Sequence, residues 1–399
     1  MRIYFAPCGI ALGHAGRCMP VARRFQEKGH IVYFSSYGEA VPYIRREGFN
    51  VGEVQAIKVF EKDDGTFNFR RTLAGSPREI LTFMAQVGAE LNLIEHFKPD
   101  LVVADSRLST VLAARMRRII PVLMLHQLRI MIPTRTPVIS KHRLSIKRAM
   151  ERTGLEVLGS LWKLSKAIVV PDFPPPYTIA KVNVVPSNQY VSKVKLVGPI
   201  IPRMPGTLPP AEEMKKMLGF DDRPLVLAAI SGTRAEKQII SARLQEIFRD
   251  FPERYNIVLT KGLADQPNGA HSTNGGRLQV YNWLRDRHAY LKACDILVTR
   301  GGHNTVSEAI YYGKPMVVIP TPAHSEHQGI AESLVHMGLG MAIQQDQLGE
   351  DILLRSVQSL VEDSQYKQRM KAAQDFAFKF DAIDSIYRTV CRTLNASYR

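Results

Sequence analysis

The chain has 399 residues, of which 45% are hydrophobic and 23% are charged, and its formal net charge is +16. This length is too great for one ordinary hydrophobic core and predicts two domains. No run approaches the roughly 20 consecutive apolar residues that span a bilayer, and the first residues resemble a strand and a glycine loop more than a cleavable leader. We therefore expect a cytoplasmic protein.

Short apolar runs alternate with amphipathic segments in both halves of the chain, which predicts parallel sheets covered by helices. A helical pattern between the first two runs ends at Gly29. The predicted strands are residues 2–6, 30–36, 100–105, 121–125, 166–171, 225–230, 256–260, 278–281, 295–298 and 315–320. The predicted fold class is therefore α/β, with two doubly wound, Rossmann-like domains.

Residues 196–210 contain five prolines and two glycines, a composition that holds neither a helix nor an interior strand. We therefore predict a linker over residues 198–210, between domains at 1–197 and 211–370. The last segment, 371–399, has a helical pattern.

Cysteine and histidine spacings give little sign of a metal site. Cys8, Cys18, Cys294 and Cys391 contain no C-x-x-C pair, which favours free and partly buried thiols over zinc or a disulfide framework. The spacing of three further residues fits no closed metal site: His303, His324 and His327. We predict no bound metal.

The most informative segment lies around residue 300, where the strand 295–298 runs into Gly301-Gly302 and then a helical pattern. This arrangement aims backbone N–H groups and the positive end of a helix at a phosphate. The neighbouring side chains supply a permanent cation, two neutral donors and, one turn deeper, a carboxylate suited to ribose hydroxyls: Arg300, Asn304, Thr305 and Glu308. The segment predicts a site for a nucleoside diphosphate.

The run RGGHNTVSE at 300–308, with Gly313-Lys314-Pro315 and Gln328, resembles the donor-binding motif of GT-B glycosyltransferases. It is most similar to that of the lipid II-forming N-acetylglucosaminyltransferases, whose pattern is R-S-G-x-x-T-V-S-E. Plant and animal UDP-sugar transferases have histidine where this chain has Arg300. The resemblance implies two domains facing a cleft and a final helix, 371–399, that returns to the first domain. It also implies a nucleotide-sugar co-substrate and no other cofactor.

The resemblance implies further contacts to the donor nucleotide in the second half. Ser231, Gly232 and Thr233 follow the first strand of that half, where the family's second glycine loop meets the diphosphate. An ordinary Ser-Gly turn would have the same sequence. Trp283 stands where the family contacts the base, by ring stacking or through adjacent main chain, although a purely structural tryptophan also fits.

Two more residues match the acidic residue and glutamine that hold the donor sugar in the family: Glu326 and Gln328. The acid is Glu here instead of Asp, and Glu332 stands where the family often has Asn. These departures leave the sugar open.

The N-terminal loop contains the motif Gly13-His14-x-x-Arg17-Cys18. This motif resembles the corresponding loop of the nucleotide-sugar hydrolase of pseudaminic acid synthesis and, more loosely, the glycine-rich loop of GT-B transferases. The resemblance implies that His14 is the catalytic base and that an aspartate behind it holds the imidazolium. Asp105, at the end of a predicted strand, is the candidate aspartate. His14 as a phosphate-binding or loop-capping residue, and Asp105 as a helix cap, remain alternatives.

The acceptor side is predicted from Gly13, Arg17 and His126, although His126 is also compatible with a core position. The stretch 107–152 carries eleven Lys or Arg and one acidic residue, Glu151, interleaved with apolar residues. This combination favours an anionic membrane surface. A phosphorylated soluble acceptor would also be attracted by such charge, as would nucleic acid, which is less favoured, and a plain solvated face is the remaining alternative.

The sequence thus predicts an inverting glycosyltransferase that moves a sugar from a nucleotide diphosphate sugar, uridine by resemblance, to a hydroxyl of a lipid-linked acceptor. It would work in the cytoplasm or on the inner face of the membrane. The alternatives are a nucleotide-sugar hydrolase or epimerase, a transferase for soluble small molecules, and an RNA-binding or partner-dependent subunit without catalysis.

Overall fold

The computed structural model describes residues 1–10, 12–56, 76–125, 127–129, 141–186, 188–263, 266, 270–273, 275–322 and 324–395. Within these ranges the chain forms two α/β domains, each built on a seven-stranded sheet. No helix found there is both long and apolar enough to cross a membrane.

The first sheet is parallel throughout, with the strand order β3-β2-β1-β4-β5-β6-β7. Its strands are β1 Arg2–Pro7, β2 Ile31–Ser36, β3 Val51–Glu53, β4 Leu101–Asp105, β5 Ile120–Met124, β6 Ala167–Val170 and β7 Val194–Leu196. Its helices are α1 Gly13–Glu27, α2 Ala40–Arg46, α3 Ser76–Phe97, α4 Leu108–Met116 and α5 Lys141–Trp162. The strand order reverses between β1 and β4, where Pro7 pairs with Asp105, and ligands of doubly wound sheets bind at this kind of point.

The second sheet has the order β10-β11-β9-β8-β12-β13-β14 and is parallel except for the antiparallel pair β10 and β11. Its strands are β8 Leu225–Ala229, β9 Asn256–Thr260, β10 Ala270–Thr273, β11 Leu278–Tyr281, β12 Ile296–Thr299, β13 Met316–Val318 and β14 Gly340–Ala342. The helices that follow the linker are α6 Ala211–Met217, α7 Arg234–Arg249, α8 Arg287–Ala293, α9 His303–Tyr312, α10 Ser325–Met337, α11 Glu350–Glu362, α12 Ser364–Ala377 and α13 Ala382–Asn395.

All ten predicted strands are present to within two residues at either end. Four further strands, β3, β7, β10 and β14, were not predicted. Each lies at or near the margin of its sheet and has only three or four residues. Such short segments contain too few positions for a hydrophobic period to develop.

The chain passes from the first domain to the second inside the predicted linker. Ile200 packs in the core of the first domain, whereas Ile201 and Leu208 pack in the core of the second. The only regular structure within 198–210 is a single 3-10 turn, Pro205–Thr207, in keeping with its proline content.

The chain returns to the first domain at its C-terminal end. Helix α12 packs on the second domain through Met370, Ala373 and Ala377, so the chain leaves that domain after Ala377 and not at the predicted boundary of 371. Helix α13 then packs in the first domain's core beside α1, with Ile386 and Val390 fully buried. The returning helix implied by the resemblance is therefore present as α13.

Candidate active site

Two helices begin at the cleft between the domains, α1 in the first domain and α9 in the second. The Asn304 side-chain amide donates to the main-chain oxygen of Gly13 over 3.1 Å, so the two helix starts are in direct contact. Among the described residues, no side chain caps either start and no acidic residue lies in either first turn. Two uncompensated positive helix ends therefore meet at one place, which suits an anion.

His14 and Asp105 form a pair on the first-domain side of this cleft. His14 Nδ1 lies 2.8 Å from Asp105 Oδ1, and the side chains are 21% and 0% exposed. Burial alone would raise the pKa of Asp105, but Arg17 and His14 hold it well below its usual value. An ionised Asp105 accepts the Nδ1–H of His14, which leaves Nε2 as the basic nitrogen of the ring.

Arg17 lies one turn along α1 and is 3% exposed. Its Nε donates to Asp105 Oδ2 over 2.6 Å and its Nη2 donates to Asp105 Oδ1. The acceptor contact predicted for Arg17 does not fit this position, because the guanidinium is buried against Asp105. Gly13, also predicted on the acceptor side, is held by Asn304.

Arg300 is the largest fully buried side chain of the second domain's glycine loop, with 1% exposure. Its Nη2 donates to Thr321 Oγ1 over 2.8 Å, and Thr321 Oγ1 also lies 3.0 Å from His327 Nδ1. Within the described part of the chain, the Nε and Nη1 donors of Arg300 have no hydrogen-bond partner. Burial lowers the pKa of Arg300 to about 10, against an opposing effect of Glu236. A buried cation with two unsatisfied donors fits a site that accepts an anion.

The two glycine loops of the second domain touch at the carboxyl ends of β8 and β12. Gly301 has φ of 83°, and a Cβ there would lie 2.9 Å from Val318 Cγ1. A Cβ on Gly302 would lie 3.3 Å from Ser231 Oγ. Glycine is therefore needed for the backbone to approach this closely. Gly232, with φ of 130°, completes the loop beside Ser231.

Thr233 and Thr305 occupy different positions in the helices that follow these loops. Thr233 caps α7: its hydroxyl accepts from the Glu236 N–H over 3.4 Å, and the Glu236 carboxylate accepts from the Thr233 N–H over 2.8 Å. The cap uses the Thr233 hydroxyl only as an acceptor, so the predicted contact to the diphosphate, in which the hydroxyl would donate, stays a prediction. Thr305 lies in the first turn of α9 and is partly exposed.

Glu308 is buried one turn into α9, as predicted, but it has partners that the sequence did not indicate. Arg287 Nη2 lies 2.6 Å from its Oε2, and His288 Nε2 lies 3.7 Å from its Oε1. Burial alone would raise the pKa of Glu308, and Arg287 with His288 lowers it. The carboxylate is thus held ionised and in place. Trp283 is half-buried in the segment between β11 and α8, close in sequence to Arg287 and His288.

Glu326 and Gln328, predicted to act together on the sugar, do not point to one place. Glu326 lies in the first turn of α10 and accepts a hydrogen bond from Gln127 Nε2 across the cleft. Gln328 exchanges side-chain hydrogen bonds with Gln344 over 3.1 and 3.2 Å, at an open groove that Glu332 also lines. Residues two apart on a helix face different directions, so only Glu326 faces the first domain.

The histidines near position 300 each have a protein partner. His303 Nε2 lies 3.3 Å from Asp172 Oδ2, and the rings of His324 and His327 stack with centroids 3.9 Å apart. In the ranges that the structure describes, no group of three or more His, Cys, Asp or Glu could hold a metal ion. His126 lies outside the described residues; its neighbour Gln127 was missed, although it follows a strand at the same sheet edge.

The described cations of the basic stretch 107–152 lie in different environments. Arg107 is buried in an ion pair with Glu90 of α3, and three other cations lie at or just after the end of α4, beyond the amino ends of the strands: Arg115, Arg117 and Arg118. Arg107 therefore does not contribute to an exposed positive face, and β5 separates the other three from the cations of α5 along the chain; Arg135 lies outside the described residues, and the membrane surface stays a prediction. Exposed apolar side chains lie on α3 and α5: Ile80, Leu81, Met84, Ile146 and Met150.

Each half of the chain matches a glycosyltransferase family model. Residues 1–175 match "Glycosyl transferase family 1" and residues 227–386 match "Glycosyltransferase family 28 C-terminal domain". With the two facing Rossmann-like domains, these matches identify the chain as a glycosyltransferase of the GT-B fold.

Similar proteins agree with this class. An uncharacterized glycosyltransferase of Methanosarcina acetivorans is 24% identical over 97% of both chains. The UDP-N-acetylglucosamine--N-acetylmuramyl-(pentapeptide) pyrophosphoryl-undecaprenol N-acetylglucosamine transferase of Alkaliphilus oremlandii is 30% identical over 42% of this chain and 47% of its own. The structure of the spinosyn forosaminyltransferase SpnP superposes with a TM-score of 0.66 at 17% identity, over 98% of this chain and 99% of its own.

Proposed function

We propose that this enzyme is an inverting transferase that moves a sugar from a UDP-sugar to a hydroxyl group of a lipid-linked acceptor. The observation that carries the proposal is the buried guanidinium of Arg300 beside the start of α9, since the described residues give two of its donors no partner. The contact between Asn304 and Gly13 joins this anion site to the His14–Asp105 pair. A leaving diphosphate and a general base are thus supplied from opposite sides of one cleft.

The transfer is a single in-line displacement. His14 Nε2 takes the proton of the acceptor hydroxyl as its oxygen attacks the anomeric carbon, and Asp105 stabilises the imidazolium that forms. The bond from the anomeric carbon to the diphosphate oxygen breaks on the opposite face, so the configuration inverts. The diphosphate leaves with the bonding electron pair, and Arg300 with the backbone N–H groups at the start of α9 stabilises its charge.

The remaining donor contacts follow from the placement of the second-domain side chains. Glu308, held ionised by Arg287 and His288, accepts the ribose hydroxyls. We assign Trp283 to contact with the nucleotide base, and Glu326, in the first turn of α10, to contact with the sugar. Uridine is proposed from the similarity to the Alkaliphilus enzyme, whose printed name specifies a UDP-linked donor.

A lipid-linked acceptor is proposed from the surface of the first domain. Exposed apolar side chains on α3 and α5 would enter the lipid, and Lys147, Arg148 and Arg152 on α5 would meet anionic headgroups. The Alkaliphilus enzyme acts on an undecaprenol-linked substrate according to its printed name. The enzyme would then act at the cytoplasmic face of the membrane.

Calorimetry with UDP-, GDP- and dTDP-sugars tests the donor. We expect a UDP-sugar to bind, and Glu308→Ala to weaken that binding strongly; binding to none of these donors would refute the proposal. The bound donor is then incubated with extracted lipids. Release of free sugar without an acceptor would instead indicate a hydrolase, and loss of transfer in His14→Ala is expected for the base.

Sedimentation with anionic phospholipid vesicles tests the membrane contact. The double variant Ile146→Ser and Met150→Ser should reduce the bound fraction several-fold, because it removes the apolar side chains of α5. Ile239→Ser is the matched control, since Ile239 is an equally exposed side chain on the second domain. Equal binding of all three proteins would contradict the proposed surface.

A further inference from the structure

We propose that Arg17 is a positioning residue that sets the basicity of His14 through Asp105. The proposal rests on the proposed function, in which His14 is the base. Arg17 donates to both carboxylate oxygens of Asp105, and its Nη2 also lies 3.0 Å from His14 Nδ1. Three side chains thus form one buried cluster, in which a cation stands beside the pair expected of a base and its carboxylate.

The first effect of Arg17 is geometric. Its planar fork grips Asp105 through Nε and Nη2, so the carboxylate cannot rotate and Oδ1 stays directed at His14 Nδ1. Asp105 fixes the tautomer of His14 in turn, because only an Nδ1–H can donate to it. A lysine at this position would keep the charge but lose the two-point grip.

The second effect is electrostatic. His14 Nδ1 lies 2.8 Å from Asp105 and 3.0 Å from Arg17, so the attraction of the carboxylate for an imidazolium is opposed by a nearby guanidinium. The shorter distance to Asp105 assigns the Nδ1–H to that bond, and Arg17 Nη2 then acts on the ring as a charge. The guanidinium of Arg17 and the carboxylate of Asp105 thus act in opposite directions on a positive charge at the His14 ring.

Among the described residues, the titratable groups beside this cluster include one thiol and one carboxylate. Cys18 of α1 contacts Asp105 through Sγ at 3.6 Å, and the charge of Glu326 on α10 acts on Arg17. The nearest described group of α9 is the neutral amide of Asn304. Cys18 and Glu326 are unchanged in the variants below, so a change in His14 reports on Arg17 and Asp105.

NMR titration of the His14 ring tests the proposal without any assay of transfer, with the signal assigned by its loss in His14→Gln. We expect Arg17→Met to raise the pKa of His14 by about one, because a cation is lost while Asp105 remains. In the pH–rate profile, the acid limb should move to higher pH by the same amount. At a fixed pH on this limb, the rate should therefore fall roughly tenfold. Arg23→Met, which removes an exposed cation of the same helix, should leave the pKa of His14 unchanged.

Two further variants keep the test decisive if Arg17→Met does not fold. Asp105→Asn leaves the cation beside His14 and should lower the pKa of the ring, and the double variant with Arg17→Met should raise it again. Arg17→Lys should restore the pKa of His14 but not the full rate, because the grip on Asp105 is lost.

An unchanged pKa of His14 in Arg17→Met, or the same value in Asp105→Asn with and without Arg17, would overturn the inference. A raised pKa with an unmoved rate profile would instead refute the role of His14 as base. The two failures are thus distinguishable, since one is read from the ring and the other from the reaction.

Discussion

The side-chain amide of Asn304 in the second domain donates to the main-chain oxygen of Gly13 in the first domain, over 3.1 Å. These residues stand at the starts of α9 and α1, so the contact links the proposed diphosphate site to the loop that carries His14. A neutral donor at this position matters, because both helix ends are positive and the proposed ligand is an anion.

Asn304→Asp should therefore weaken binding of a nucleoside diphosphate at least tenfold, about 1.4 kcal/mol, because it places a negative charge at the anion site. Asn304→Ala removes only the hydrogen bond and should cost roughly threefold. Calorimetric titration with UDP measures both. Equal affinities of the two variants would show that no anion binds near Asn304.

Arg300→Met should leave the ligand-free protein at least as stable as the wild type, because it replaces a buried cation with unpaired donors by an apolar chain of similar length. It should also abolish the rise in melting temperature that UDP gives the wild type. Arg243→Met, in the same domain but bonded to the Leu348 carbonyl, should keep that rise. Retention of the UDP effect in Arg300→Met would remove Arg300 from the site.

Gly301→Ala should lower the free energy of unfolding by about 2–3 kcal/mol, since it forces a Cβ into the left-handed region and against Val318. Gly275→Ala is the matched control, with φ of 64° and no atom within 4 Å of the added Cβ, and should cost about 1 kcal/mol. Urea denaturation of both variants isolates the cost of the close contact. Equal losses of unfolding free energy in the two variants would mean that the loop accommodates the added Cβ of Gly301→Ala at no extra cost.

His327 should make the free energy of unfolding depend on pH. Burial, aided by His324, lowers the pKa of His327 to about 3 from an ordinary value of 6.5. Below pH 6.5 the unfolded chain therefore binds a proton that the folded chain does not bind. The free energy of unfolding consequently falls as the pH is lowered from 6.5 to about 3. His327→Gln should remove roughly 3 kcal/mol of the loss between pH 7 and pH 4. Denaturation at both pH values measures this loss of stability. His96→Gln, on an exposed part of α3, is the control. The same loss in the wild type and in His327→Gln would contradict the assignment to His327.

Ten strands and both glycine loops could be predicted from the sequence, because the residue patterns that indicate them are local. The continuous apolar run of β12 and the double glycine after it are visible in a window of about fifteen residues. Prediction from the sequence failed where a side chain's partner is remote. Arg17 was expected at the acceptor but lies against Asp105, 88 positions away in the chain.

The basic stretch shows the same limit in another form. Its described residues are neighbours along the chain, yet α4 and β5 separate Arg107 from Arg117 and both from the cations of α5. Arg107 even becomes the partner of Glu90, since a buried carboxylate requires a cation. A count of charges along the sequence cannot separate these positions.

By itself, the order of residues determined the α/β class, the two domains and the loop that faces the proposed diphosphate, since apolar period and glycine placement act over one or two turns of chain. Only the tertiary structure decided that Asp105 reaches His14, 91 positions away, and that Arg17 grips the same carboxylate. It also decided that Arg300 is buried with two donors unpaired. These relations arise when the sheet brings the ends of distant strands together, and the strength of each depends on burial, which the neighbouring residues in sequence do not set.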